Sequence, residues 1–197
     1  MTPTDRAICE KLRIKRHDNL PFTGWAGNRQ DLANLYSELG LNKGVMVGIW
    51  DAVTAELFCQ ANKDIDLLCV DPWEAFGGHS QQKLDRLCEI SREKLAPFKA
   101  TVVRKKSIEV AGYITDKSLD FVYINGHHEF NPAMLDILYW APKVKVGGIV
   151  SGHGFCNHYQ GGVIYAVEAY ARGNNINPWY LAHRDLDRQN SWLWVGR

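Results

Sequence analysis

At 197 residues, with 46% hydrophobic and 23% charged residues, the chain has the composition of one globular domain with a proper core, which excludes a disordered chain. Its 23 Lys+Arg and 22 Asp+Glu nearly cancel, to a net charge of +1, so composition gives no reason to expect a nucleic-acid partner. No apolar run approaches the roughly 18–20 residues of a membrane span, the start Met1-Thr2-Pro3-Thr4-Asp5 turns charged without an apolar leader, and the five cysteines form no C-x-x-C pair; the expectation is a cytoplasmic protein with reduced thiols.

In chain order, residues 1–40 carry one helical pattern, over 31–39, stopped by Gly40. This portion is expected to be a helical cap or extension, or part of a dimer contact. From residue 41 to 197, strand and helix patterns alternate. An apolar run at 45–50 leads into a helix over 52–61 with Asp51 as N-cap. A second run, 67–70, precedes an amphipathic helix over 80–95. A third, 101–104, precedes a short helix over 107–113. A fourth, 119–124, is followed by a helix over 132–140 with Pro132 at its first position. A fifth, 146–151, precedes a helix over 162–172. A weaker run at 179–183 and a last one at 191–195 close the chain, and Trp192 and Trp194 there suggest a buried hairpin or a subunit seam.

Several runs are continuously apolar, as strands covered on both faces are. The pattern predicts an α/β fold: a seven-stranded, mostly parallel sheet with helices on both faces. Residues 184–190 are too few for a crossover helix, so the last strand should be antiparallel.

Ligands of such sheets bind at the carboxyl ends of the strands. Gly48 follows the first run and would let backbone approach a ligand, though a tight turn alone would also use it. Asp71-Pro72-Trp73 follows the second. The carboxylate could accept both hydroxyls of a ribose and the indole could cover an adenosine edge, or Asp71 could accept locally from Ser or backbone. The fourth run leads into Asn125-Gly126-His127-His128, and the fifth into Gly152-His153-Gly154, with Cys156 and His158 close behind. Adjacent strands would let these imidazoles converge.

The segments Val70-Asp71-Pro72-Trp73, Leu119 to His128 and Trp140 to His153 resemble those of a class I S-adenosylmethionine-dependent methyltransferase. The likeness is to the small, methyltransferase family 24-like group whose fourth strand ends in I-D-G-D-H and whose fifth ends in G-G-x-x-x-G-H-D-Y. Gly162 to Val167 resembles the G-V-x-x-A-V helix that follows. The likeness spans roughly residues 40–197 and implies a Rossmann-like domain over 41–197. It implies that Gly48 lies against the methionine part of S-adenosylmethionine, that Asp71 holds the ribose with Trp73 beside it, that Ser107 lies near the adenine and that Asn125 lies beside the sulfonium and substrate. It further implies transfer to an oxygen of a small molecule or sugar, with His128 or His153 as base.

The departures fall in the site. Met46 and Ala52 stand where the family has an acid and a glycine, and Asn125, His127 and Gly154 stand where it has carboxylates. Ala52 is tolerable at negative φ. Without hard oxygen ligands no magnesium site is expected. His127, His128, His153, His158 and Cys156 could instead suit zinc, nickel or iron(II). A second reading is therefore a catalytically impaired, methyltransferase-like binding protein; a third is a repurposed enzyme using the histidines with a transition metal. Nucleic acid is not expected: the chain lacks an N-P-P-Y-type tetrad, and the basic clusters Lys11, Arg13, Lys15, Arg16 and Lys99, Arg104, Lys105, Lys106 read as solvated faces. The expected partner is a small-molecule substrate, with a second copy of the chain as the other.

Overall fold

The computed structural model describes residues 1–14, 20–24, 27–183 and 189–197. Its elements are α1 (Pro3–Lys11), β1 (Phe22–Gly24), α2 (Arg29–Glu38), β2 (Lys43–Val47), α3 (Val53–Ala61), β3 (Asp66–Val70), α4 (Gln81–Leu95), β4 (Ala100–Val103), α5 (Ser107–Ala111), β5 (Leu119–Ile124), α6 (Phe130–Trp140), β6 (Val144–Phe155), α7 (Gly162–Gly173), β7 (Tyr180–Ala182) and β8 (Asn190–Val195). The strands form one sheet in the order β1-β7-β8-β6-β5-β2-β3-β4. Every pairing is parallel except those of β8, which runs antiparallel to both β6 and β7.

Side-chain alternation along the strands feeds two cores. Met46, Cys69, Phe121, Tyr123 and Leu193 point to the layer of α1 to α4. Val45, Val47, Val122, Val150 and Trp192 point to the layer of α5 to α7. Both faces are apolar, which is why these runs read as continuous. The carboxyl-end Trp192 and Trp194 are buried and stack on each other at 5.0 Å, so they form a buried hairpin of this chain.

Helix starts follow local chemistry. Asn28 and Asp31 form a capping box for α2, and Ser80 caps α4 by accepting from the Lys83 N–H. Asp51 does not cap α3. Ala52 occupies that position with φ +61, and Asp51 only accepts from the Val53 N–H at 3.3 Å. Helix α6 starts at Phe130, so Pro132 is its third residue, still within the turn whose N–H groups need no helical partner.

The sheet has eight strands rather than seven. The added β1 is three residues long, too short to register as an apolar run, and pairs Phe22 with Tyr180 at the edge. Ahead of it, α1 is pinned to the same edge: buried Asp5 takes hydrogen bonds from the Thr2 hydroxyl and, at 2.8 Å, from the Tyr180 hydroxyl. Strand β6 runs to Phe155, four residues beyond the run read from sequence, with an irregular register between Gly152 and Phe155. His153 therefore lies within a strand and is not in a loop. Among the described residues, no helix is long and apolar enough to cross a membrane.

Candidate functional site

The central strands β2, β3 and β5 end side by side. Beyond β2 the chain turns through Gly48 (φ +74), Trp50 (φ +54) and Ala52 (φ +61). The Gly48 N–H donates to the Val70 carbonyl at 2.8 Å, and the Asn125 N–H donates to the Val47 carbonyl at 2.7 Å. A Cβ on Gly48 would sit 2.3 Å from the Asn125 carbonyl oxygen. The two loops are thus in backbone contact. Ala52 occupies the left-handed region, where a non-glycine residue costs about 1–2 kcal/mol, so the condition of negative φ is not met. Met46 is fully buried in the α1–α4 core.

Asp71 faces this turn. Its Oδ2 accepts from the Ile49 and Trp50 N–H groups, each at 3.0 Å, and its Oδ1 accepts from the Trp73 N–H at 3.0 Å. Burial pushes the carboxyl group above its ordinary pKa, against the pull of those N–H groups and of nearby His127. The carboxylate thus meets local backbone donors, one of the two roles open to it in the sequence, with acceptor capacity left on Oδ1. Trp73 is likewise turned inward: it is buried with α4, has φ +42, and its indole N–H donates to the Trp50 carbonyl at 2.9 Å.

Ser107 begins α5. Its hydroxyl donates to Asp136 Oδ1 at 2.5 Å and accepts from the Trp140 indole at 2.7 Å. Sequence reasoning missed Asp136. The signal was a carboxylate on the apolar stripe Ala133, Asp136, Ile137, Trp140 of α6, which is the buried stripe. Burial raises its pKa to about 6. A raised acid stabilises the fold most while protonated, so this contribution is complete below the unfolded value near 4 and is lost as pH rises through about 6. Stability should fall by about 3 kcal/mol across that window. Asp136→Asn, which keeps an acceptor for Ser107, should flatten the loss; urea denaturation of both proteins from pH 4 to 7 measures it. Identical pH profiles would place the carboxylate in water.

The histidines gather on the β5–β6 side. The ring of His128 lies over Gly154, close enough that a Cβ there would stand 2.8 Å from its Nε2. Glycine at 154 is what leaves room for this ring. Buried His153 meets the Ser191 hydroxyl at 3.1 Å through Nδ1, and Ser191 meets the Tyr123 hydroxyl at 3.3 Å. Asn125, His127, His128, His153 and Trp192 border one hollow of about 10 Å³, the room of a single water molecule. Among the described residues, no group of three or more His, Cys, Asp or Glu could hold a metal ion; the side chain of His158 lies outside them, as do Lys15 and Arg16.

Over Asp71, two further loops meet. Phe76, after β3, packs on His127, after β5, at 4.5 Å between centroids. Phe76 and His79 also pack on each other at 5.4 Å and on Trp50 at 6.4 and 5.2 Å. Asp71, Gly48, Asn125 and His127 therefore do share one crevice mouth. The Asp71 carboxylate accepts three N–H groups of the chain, which leaves acceptor capacity on its Oδ1, and the Trp73 indole is buried.

A family of methyltransferase domains matches residues 38–155, more than half of the chain. No curated protein matches it. Among solved structures, one assigned as an O-methyltransferase from Klebsiella pneumoniae is similar with a TM-score of 0.66 and 14% identity, over 100% of this chain and 91% of that one. One assigned as a caffeoyl-CoA O-methyltransferase from Staphylococcus aureus is similar with a TM-score of 0.64 and 14% identity, over 100% and 93%. One assigned as an rRNA methylase from Clostridium thermocellum is similar with a TM-score of 0.63 and 11% identity, over 87% and 98%. At such identities the likeness is one of fold.

Proposed function

The chain belongs to the methyltransferase domain family and carries a Rossmann-like methyltransferase fold, and from that premise we propose that it is an S-adenosylmethionine-dependent methyltransferase acting on an oxygen of a small molecule or sugar. One observation carries this reading: Asn125, His128 and His153 border one hollow at the ends of β5 and β6, where either imidazole would serve as base. Asp71, which keeps acceptor capacity on Oδ1, would hold the ribose. The ligand we propose is a small molecule. Arg104, Lys106 and Lys99 of the basic cluster each face a carboxylate, Asp85, Glu74 and Asp66, which favours a solvated face over a nucleic-acid track.

A methyltransferase-like binding protein impaired in group transfer is the second reading. It is favoured by Asn125, His127 and Gly154 standing where the family has carboxylates. Calorimetry with S-adenosylmethionine and S-adenosylhomocysteine separates the two. We expect saturable binding well below millimolar by the wild-type protein, abolished in Asp71→Ala. No binding at millimolar ligand would overturn the transferase reading in favour of the second, and turnover left intact in both His128→Ala and His153→Ala would overturn the base assignment.

A further inference from the structure

We propose that the outer face of α6, with the adjoining side of α7, is the surface through which two copies of this chain pair about a two-fold axis. Asp136 is the one charged residue in the sequence of α6, and it is buried with its carboxylate on Ser107. The opposite face of the helix is as apolar as the inward one, yet it is open: Leu135, Leu138 and Tyr139, at helical spacing, are 43, 48 and 45% exposed. A helix that is apolar all round is ordinarily covered on every side.

The face continues onto α7. A Cβ on Gly162 would stand 2.4 Å from the His128 carbonyl oxygen and 2.5 Å from the Phe130 nitrogen, so the two helices start side by side. Each is a crossover between parallel strands, so they also run the same way. Phe130 at the head of α6 and Tyr165 one turn into α7, 42 and 60% exposed, extend the patch. The five side chains together expose on the order of 450 Å², more than the few hundred that a monomer ordinarily shows in one place. A standard contact buries about 800 Å² per partner, about 65% of it apolar in homodimers, so the patch has the size that such a contact needs.

Charge selects a second copy as the occupant. Beside the patch on α7 stand exposed Glu168 and Arg172, opposite in sign and one turn apart. A two-fold axis across the helices lays each against its own image running the other way. Glu168 of one copy then meets Arg172 of the other, and the reverse, while the uncharged face of α6 meets itself without repulsion. A membrane surface would favour a basic rim, whereas this rim carries Glu129 and Glu168 beside Arg172.

The test is analytical ultracentrifugation of the full chain across a concentration series, with far-ultraviolet circular dichroism to confirm folding. Wild-type protein is expected at twice the chain mass of 22.4 kDa at about 100 µM. Leu138→Lys, which would bury an unpaired charge, should raise the dissociation constant at least about ten-fold. Glu168→Arg, which opposes like charges, should do the same, and adding Arg172→Glu to it should restore the dimer. Val146→Lys, at an exposed site at the start of β6, should leave the dimer unchanged. All of these positions are exposed, so the variants should fold. A wild-type monomer at that concentration overturns the proposal, and so does a dimer that Leu138→Lys leaves intact. A double variant that stays dissociated overturns the antiparallel pairing.

Discussion

Gly48→Ala is expected to lower stability by more than about 4 kcal/mol, enough to unfold many domains of this size. Two separate penalties add. The left-handed backbone at φ +74 disfavours any Cβ by about 1–2 kcal/mol. The greater penalty is steric: the new methyl would lie 2.3 Å from the Asn125 carbonyl oxygen and 2.6 Å from the Gly126 Cα. Both are backbone atoms and cannot rotate aside, so β2 and β5 must part and the bond from the Asn125 N–H to the Val47 carbonyl is lost. Gly77→Ala is the control. It meets the same backbone penalty at φ +52 with nothing nearby, and should cost only about 1–2 kcal/mol. Thermal melts followed by circular dichroism compare them, and equal losses would show that the strand ends do not touch.

Asp71→Asn should cost about 2–4 kcal/mol with no ligand present, a fall in melting temperature of roughly 4–16 °C. An ionised carboxylate accepts three N–H groups here. The amide has one acceptor, so whichever way it turns its NH2 group confronts a backbone donor. Charge assistance is lost as well. Amide exchange supplies the local readout: Ile49 and Trp50 should lose protection ahead of the rest of the sheet. Unchanged melting and unchanged exchange would mean that the carboxylate points outward in solution, free for a ligand.

The parallel sheet and its reversed last strand were legible because burial on both faces leaves a continuous apolar run, and because residues 184–190 leave no room for a crossover. β1 was illegible: a three-residue strand at an edge carries no periodicity of its own. Gly152-His153-Gly154 read as lying just past the end of the fifth run because glycine interrupts apolar runs, whereas here the first glycine admits the Trp192 ring and the last admits His128. The family's site positions could be located in the sequence, but not their use. Asp71 followed by Pro72 and Trp73 suits a ribose acceptor and a local one equally. The local N–H groups are brought to it by positive φ at Trp50, Ala52 and Trp73, which side-chain identity does not announce, since such residues ordinarily avoid it. The Phe76–His127 contact joins two separate loops and has no local signature at all.

The pinning of Asp5 and Phe22 to the strand that holds Tyr180 has a consequence for biogenesis. A chain emerging from the ribosome exposes the helix Pro3–Lys11 long before its mate at the sheet margin, Tyr180, has been translated. Contacts of such sequence separation close late. Until then the helix Pro3–Lys11 must wait without its seat, and the margin of the sheet should be the last part to become resistant to proteases during synthesis.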